Sequence, residues 1–218
     1  GEGMHRITWD LRDPGATLAS SGPSGGDEED SRPRGSGPLV APGKYLATLF
    51  QRYRGELRQL AGPVEFNVVL DSLGNPQAND VAEQVAFHRQ VLKLNRAVTG
   101  ATTVATETAT RLDAIRRALD VAPKADEAAK QHVRQLIQRN RDILRALRGD
   151  TVLAARNENV PLSIRDRVGF AARATVQSLS KPTGTQKEQY AIAANEFTTE
   201  LAKLRQLVEV DLPALEKK

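Results

Sequence analysis

The sequence predicts an α+β protein that is mostly α: a small β-sandwich region followed by an antiparallel four-helix bundle. Two observations carry that reading. Short stretches with period-two alternation, each closed by Gly/Pro turn chemistry, fill the first 70 or so residues. Beyond them, apolar residues recur in steps of four and three over long distances, as on one face of a helix. Aromatic residues follow the same division, with five of the nine within residues 1–70. The domains are therefore expected at 1–72 for the β module and 73–218 for the bundle.

In the β module, Ile7, Trp9 and Leu11 alternate with polar neighbours and predict a half-buried strand, ended by Asp13-Pro14-Gly15. Residues 19–37 are Ser, Gly, Pro and charge, including the acidic run Asp27-Glu28-Glu29-Asp30. That composition buries too little apolar area to offset its ordering entropy, which predicts a mobile surface loop. Tyr45 to Phe50 reads as a strand, Arg54-Gly55 as a hairpin turn and Glu56 to Leu60 as a weak return strand. Gly62-Pro63 is a further turn signal, and Val64 to Val68 alternates as a fourth strand. An immunoglobulin-like sandwich needs about seven strands over about 100 residues. Four strands make an incomplete one, with a free edge available for another chain or a second copy.

Ser72 to Pro76 is the domain boundary. Asn79-Asp80 caps a long first helix whose stripe runs through Phe87, Val91, Leu94, Val98, Leu112, Ile115 and Leu119. Gly100 is the place for a bend, and Pro123 ends the pattern. A second helix spans 126–148 with Val133, Leu136, Ile137, Asn140, Leu144 and Leu147 inward, and Gly149 stops it. Thr151 to Arg156 reads as a prolongation. A third helix opens at Ser163 and reaches about Leu179. The last runs from Thr185 to Leu215, with Thr185 and Glu188 as a capping box and Tyr190, Ala194, Phe197, Leu201, Leu204 and Val208 on its stripe.

Several functions are argued against by what the chain contains. It has no cysteine, so disulfides and thiolate metal sites are excluded. The net charge of +4 divides as −1 over residues 1–70 and +5 over the rest. That is a mildly basic bundle rather than a nucleic-acid patch, and Arg134, Arg141, Arg145 and Arg148 on the second helix have no interleaved aromatics for base stacking. No apolar run approaches the roughly 18 residues of a membrane span. Gly1 to His5 carries no signal-peptide pattern. His5, His88 and His132 have no second imidazole at helical spacing and read as surface or boundary residues; no metal or cofactor site is expected. Gly37 to Lys44 has the wrong spacing for a phosphate loop. Asp10 and Asp13, with Trp9, Tyr45 and Tyr53 nearby, invite comparison with a glycosidase cleft. Turn capping for the carboxylates and core packing for Trp9 account for them better. No catalytic residue is assigned.

Gly3-Met4-His5-Arg6-Ile7-Thr8-Trp9-Asp10-Leu11-Arg12, followed by Gly37-Pro38-Leu39-Val40-Ala41-Pro42-Gly43-Lys44-Tyr45, resembles a family pattern. It is similar to the C-terminal region of bacterial sortilin-like (VPS10) or BNR-repeat proteins of the glycosyl hydrolase type. It also resembles the immunoglobulin-like fold of flagellar hook-capping proteins. Pro161 to Arg167, Pro182 to Gln186, Gln189-Tyr190 and Asp211 to Glu216 are similar to that family's final helices. The resemblance implies an extracytoplasmic, non-catalytic C-terminal accessory region, docked on an upstream β-propeller of the same parent or on another protein. The alternative it leaves is a contribution to a glycoside hydrolase cleft completed by the propellers. It carries over no catalytic residue.

Overall fold

The computed structural model describes residues 6, 8–13, 39–71, 78–123, 126–156, 158–176 and 180–216. Within them the chain is mostly helical with one small antiparallel sheet. The expected loop at 19–37, Ile7 and His5 lie outside the described residues. Two compact units divide the rest. One holds the described residues of Gly1–Gly15, Asp27–Arg89 and Thr175–Pro182; the other holds those of Gln90–Ala174 and Thr183–Lys218. The division falls within the first helix rather than at residue 72.

In the first unit, β1 (Gly43–Tyr53) and β2 (Glu56–Val68) form a hairpin. Arg54 (φ 49°) and Gly55 (φ 87°) make the two-residue turn, both in the left-handed region that a tight hairpin requires. Gly62-Pro63 is not a turn between two strands. It sits inside β2, which continues through it as a bulged strand. Between the Ala47–Val64 and Leu49–Ala61 pairs, β1 advances two residues and β2 three; between Leu49–Ala61 and Phe50–Gln59, β1 advances one and β2 two. Gly62 has φ 92°, and a Cβ there would lie 2.6 Å from the Ala47 carbonyl oxygen, so only glycine lets the strands approach. Three of the expected strands are thus two long ones.

The expected strand at Ile7 to Leu11 is not formed by its described residues. Leu11 turns into the left-handed region (φ 58°), and only the bridge between Arg12 and Leu39 follows. The Asp10 side chain accepts from the Arg12 N–H (3.1 Å), an Asx turn that competes with extended pairing.

Helix α1 (Ala78–Val121) is continuous through Gly100. Its stripe is buried as expected from Phe87 to Leu112, while Ile115 and Leu119 are half-buried. His88, expected at a surface or boundary, is fully buried at 1% exposure. It lies one position after Phe87 on a stripe that is wide at this end, with Val81, Gln84 and Val85 also buried.

In the second unit, α2 (Glu127–Arg148) starts at Asp126, whose side chain accepts from Ala128 N–H, and stops at Gly149 (φ 86°). It buries Val133, Leu136, Asn140, Ile143, Leu144 and Leu147, so Ile143 takes the place expected for the half-buried Ile137. Asn140 donates from Nδ2 to the Ala105 carbonyl (2.8 Å), a buried tie between α2 and α1. The stretch after Gly149 is a separate short helix, α3 (Thr151–Ala155), because Asp150 caps it through Val152 and Leu153 N–H. α4 (Ile164–Val176) opens with Ser163 and Asp166 hydrogen-bonded reciprocally.

α5 (Gly184–Arg205) has its cap two residues earlier than expected. Its capping box is Thr183 with Gln186, not Thr185 with Glu188. The helix continues as a π segment (Gln206–Asp211) and closes as α6 (Leu212–Glu216). Pro213 explains the π segment: it has no N–H, and its ring would meet the carbonyl one α-turn back. The Leu212 N–H donates to Leu207 O instead. Leu204, Leu207, Leu212 and Leu215 are buried, whereas the expected core residues Tyr190, Leu201 and Val208 are half-buried. Arg111 and Glu216 pair at 2.6 Å, joining α1 to α6.

Candidate interaction surface

All twenty residues from Leu46 to Glu65 are exposed. Pairing and alternation sort the hairpin's side chains onto two faces. On one, Tyr45, Ala47 and Leu49 stand opposite Phe66, Val64 and Ala61. On the other, Lys44 and Leu46 oppose Asn67 and Glu65, and Lys44 reaches Glu65 at 2.9 Å. The first face is a core-type surface, and only its base is covered. Trp9 lies edge-on to Tyr45 and Phe66, with ring centroids 5.8 and 6.1 Å away, and donates from its indole N–H to Arg12 O. Tyr45 donates its hydroxyl proton to Ala41 O at 2.6 Å. Further out, Leu49 (47%) and Val64 (63%) are exposed. Tyr53 continues this face toward the tip, while Leu46, Phe50 and Leu57 are exposed on the other face. Exposed apolar side chains on both faces of one ribbon mark it as a surface for contact with another chain.

The tip is basic. Arg52, Arg54 and Arg58 outnumber Glu56, and Arg54 lies 5.2 Å over the Tyr53 ring. Arg52 and Arg58 have no carboxylate partner among the described residues.

The residues weighed for chemistry are engaged structurally. Asp13 accepts from Arg89 at 2.8 Å, and Asp10 holds the Arg12 turn. Trp9 packs on its neighbours, though at 45% exposure it is a lid over the cluster rather than a core residue. Arg134 approaches Glu127 at 3.7 Å, and Arg145 pairs with Asp150 at 2.9 Å, which breaks up the arginine stripe of α2. Hydrogen bonds from the Leu153 and Val152 N–H groups, with Arg145 beside it, hold the Asp150 carboxyl below the usual aspartate range. The Arg116 guanidinium does the same for Asp113. Among the described residues no cluster of His, Asp or Glu has metal-holding geometry, and no helix is long and apolar enough to cross a membrane. The second unit has a groove of about 910 Å3 between the end of α2, Leu153 with Val160 to Ile164, and α5, and another of about 600 Å3 between α2 and the end of α5. The walls of the larger mix apolar Leu153, Pro161 and Leu162 with Asp142, Glu196 and Glu200.

The sequence pattern missed this surface as a site. Alternation in the 43–68 stretch shows which residues share a face, but not that the face goes uncovered. Comparison with protein-family models, with curated proteins and with solved structures finds no match.

Proposed function

We propose that this chain is a non-catalytic interaction region that docks through its 43–68 hairpin onto a β-rich partner. In this reading the hairpin supplies two strands of an immunoglobulin-like sandwich whose facing layer comes from that partner, while the helices form a four-helix bundle. The observation that carries the proposal is the exposed apolar surface of the hairpin: an aromatic cluster closed by Trp9 at its base, and exposed apolar side chains continuing through Leu49 and Val64. A two-stranded ribbon is marginal alone and gains most by stacking on a second sheet. The resemblance supports a sortilin-like β-propeller region as the partner, and with it an extracytoplasmic location.

Titration of the full chain with a recombinant sortilin-like tandem β-propeller tests this. Hydrogen exchange across β1 and β2 should slow on binding, and the paired change Leu49→Asp with Val64→Asp should abolish the complex while leaving the helices intact. A propeller that fails to bind, or that binds with the hairpin still exchanging freely, overturns the proposal.

A further inference from the structure

The larger groove of the second unit has a charge opposite to that of the chain around it. From residue 71 onward the sequence carries 23 Lys and Arg against 18 Asp and Glu. The walls of this groove hold four carboxylates and one guanidinium. Asp150 caps α3 and pairs with Arg145. Three carboxylates remain. Glu196 and Glu200 face the groove from α5, one helical turn apart, the spacing at which like charges oppose each other. Asp142 lines it from α2. Their cationic neighbours satisfy them only in part. Arg167 approaches Glu196 at 3.6 Å and Arg145 approaches Asp142 at 3.8 Å, both beyond hydrogen-bond reach. Glu200, with a side chain only 13% exposed, accepts from Lys203 on its own helix at 2.7 Å. An ionised carboxylate has about four acceptor sites, so all three keep capacity for a further donor.

Beside these charges stands a preformed apolar wall. Leu162 is 55% exposed with Pro161 exposed next to it, and Leu153 and Val160 are half-buried. Hydrogen bonds hold the wall in place: Asp150 caps α3, and the Leu153 carbonyl accepts from the Arg156 and Glu158 N–H groups.

We propose that this groove docks a segment of a partner polypeptide that carries Lys or Arg beside apolar residues. The cation meets Glu196, Glu200 and Asp142, and the apolar side chains cover Leu153, Val160 and Leu162. Charge complementarity selects this occupant. An acidic segment would meet like charge, and a neutral one would desolvate carboxylates without pairing them. A bare cation would leave the apolar wall in water. The groove lies in the other unit from the hairpin and uses none of its residues, so it is a second contact surface beyond the docking function.

The test uses the full chain and three designed amphipathic peptides of equal length. One is built of Leu and Lys, the second has Glu in place of Lys, and the third has Ser in place of Leu. The Leu–Lys peptide should shift the methyl signals of Leu153, Val160 and Leu162 and bind roughly tenfold more tightly than either of the others. High salt should shrink its advantage over the Glu peptide. The double variant Glu196→Gln with Glu200→Gln, which keeps side-chain shape, should lose about tenfold in affinity for it with the chain's amide spectrum retained. Leu162 is exposed, so Leu162→Ser reads the apolar contact without a folding defect, and it should weaken the same peptide. Unchanged affinity in either variant, methyl shifts confined to residues outside the groove, spermidine moving the same methyls at the same concentration, or no binding at millimolar peptide would each overturn it. The two proposals fail separately. The paired change Leu49→Asp with Val64→Asp should leave capture of the Leu–Lys peptide intact, and loss of that capture leaves propeller docking through the hairpin untouched.

Discussion

Trp9→Ala should unfold the hairpin and spare the helices. Trp9 is 45% exposed, so a little over half of its surface is covered, chiefly by Tyr45 and Phe66. An aromatic side chain of this size presents roughly 250 Å2. At about 25 cal/mol per Å2 the covered part contributes roughly 3 kcal/mol. That is an upper figure, because the unfolded chain already shields some of the same area. A two-stranded ribbon has little stability to spare, so the loss should raise the open population of residues 43–68 between about tenfold and a hundredfold. Native-state hydrogen exchange reads this directly, with far-UV circular dichroism reporting the helices. Trp9→Phe, which keeps a ring on the cluster, should lie between the variant and the parent. Unchanged exchange at Tyr45 and Phe66 in the alanine variant would show that the turn and the strand pairing hold the hairpin without the cluster, and the reasoning would fail.

Leu204→Ala should cost about 2–5 kcal/mol in denaturant unfolding of the helical unit, as a buried leucine does. The half-buried Leu201 should cost visibly less, and equal losses would contradict the register. Acid should weaken the chain through Asp150 and Asp113. Their folded pKa values lie below the unfolded ones, so their contribution is fully present above about pH 4 and is lost as pH falls through the depressed values. Asp150→Asn, which keeps a capping oxygen but removes the charge beside Arg145, should flatten the acid limb of a stability–pH curve; an unaltered slope would assign that limb elsewhere.

The helices were largely legible because their ends are written chemically. Asp126 and Gly149 bound α2 as capping rules require, and the stripe of α1 from Phe87 to Leu112 follows from spacing alone. The capping box of α5 was misplaced because two overlapping patterns satisfy the same rule. Thr183 with Gln186 wins over Thr185 with Glu188, since residue 183 is the one with extended backbone (ψ 160°). Gly62-Pro63 carries the signature of a turn, and nothing local distinguishes a turn between strands from a bulge within one. The Arg54-Gly55 turn was readable because only a two-residue hairpin demands left-handed backbone at both positions. The bare face of the hairpin was not, because exposure depends on what lies opposite, and alternation is blind to that. The half-buried Val208 records a different limit: four-three counting assumes α geometry throughout, and the chain departs from it at Gln206–Asp211.

That departure separates residue count from rotational phase at one place in the chain. Leu207 and Leu212 are five apart yet both buried, a spacing that an α-helix would send to different sides. The last helix is therefore a pair of differently phased barrels joined by a slipped thread, with Asp211 pinned across the slip by Arg139 at 3.1 Å and by Gln206 at 3.2 Å. Removing one residue from the π segment would restore the thread, turn the terminal leucines by roughly 100° and drive the Pro213 ring toward a carbonyl it now avoids. Any graft, truncation or repeat design that treats residues 184–216 as a single uniform helix would inherit the wrong face at its end.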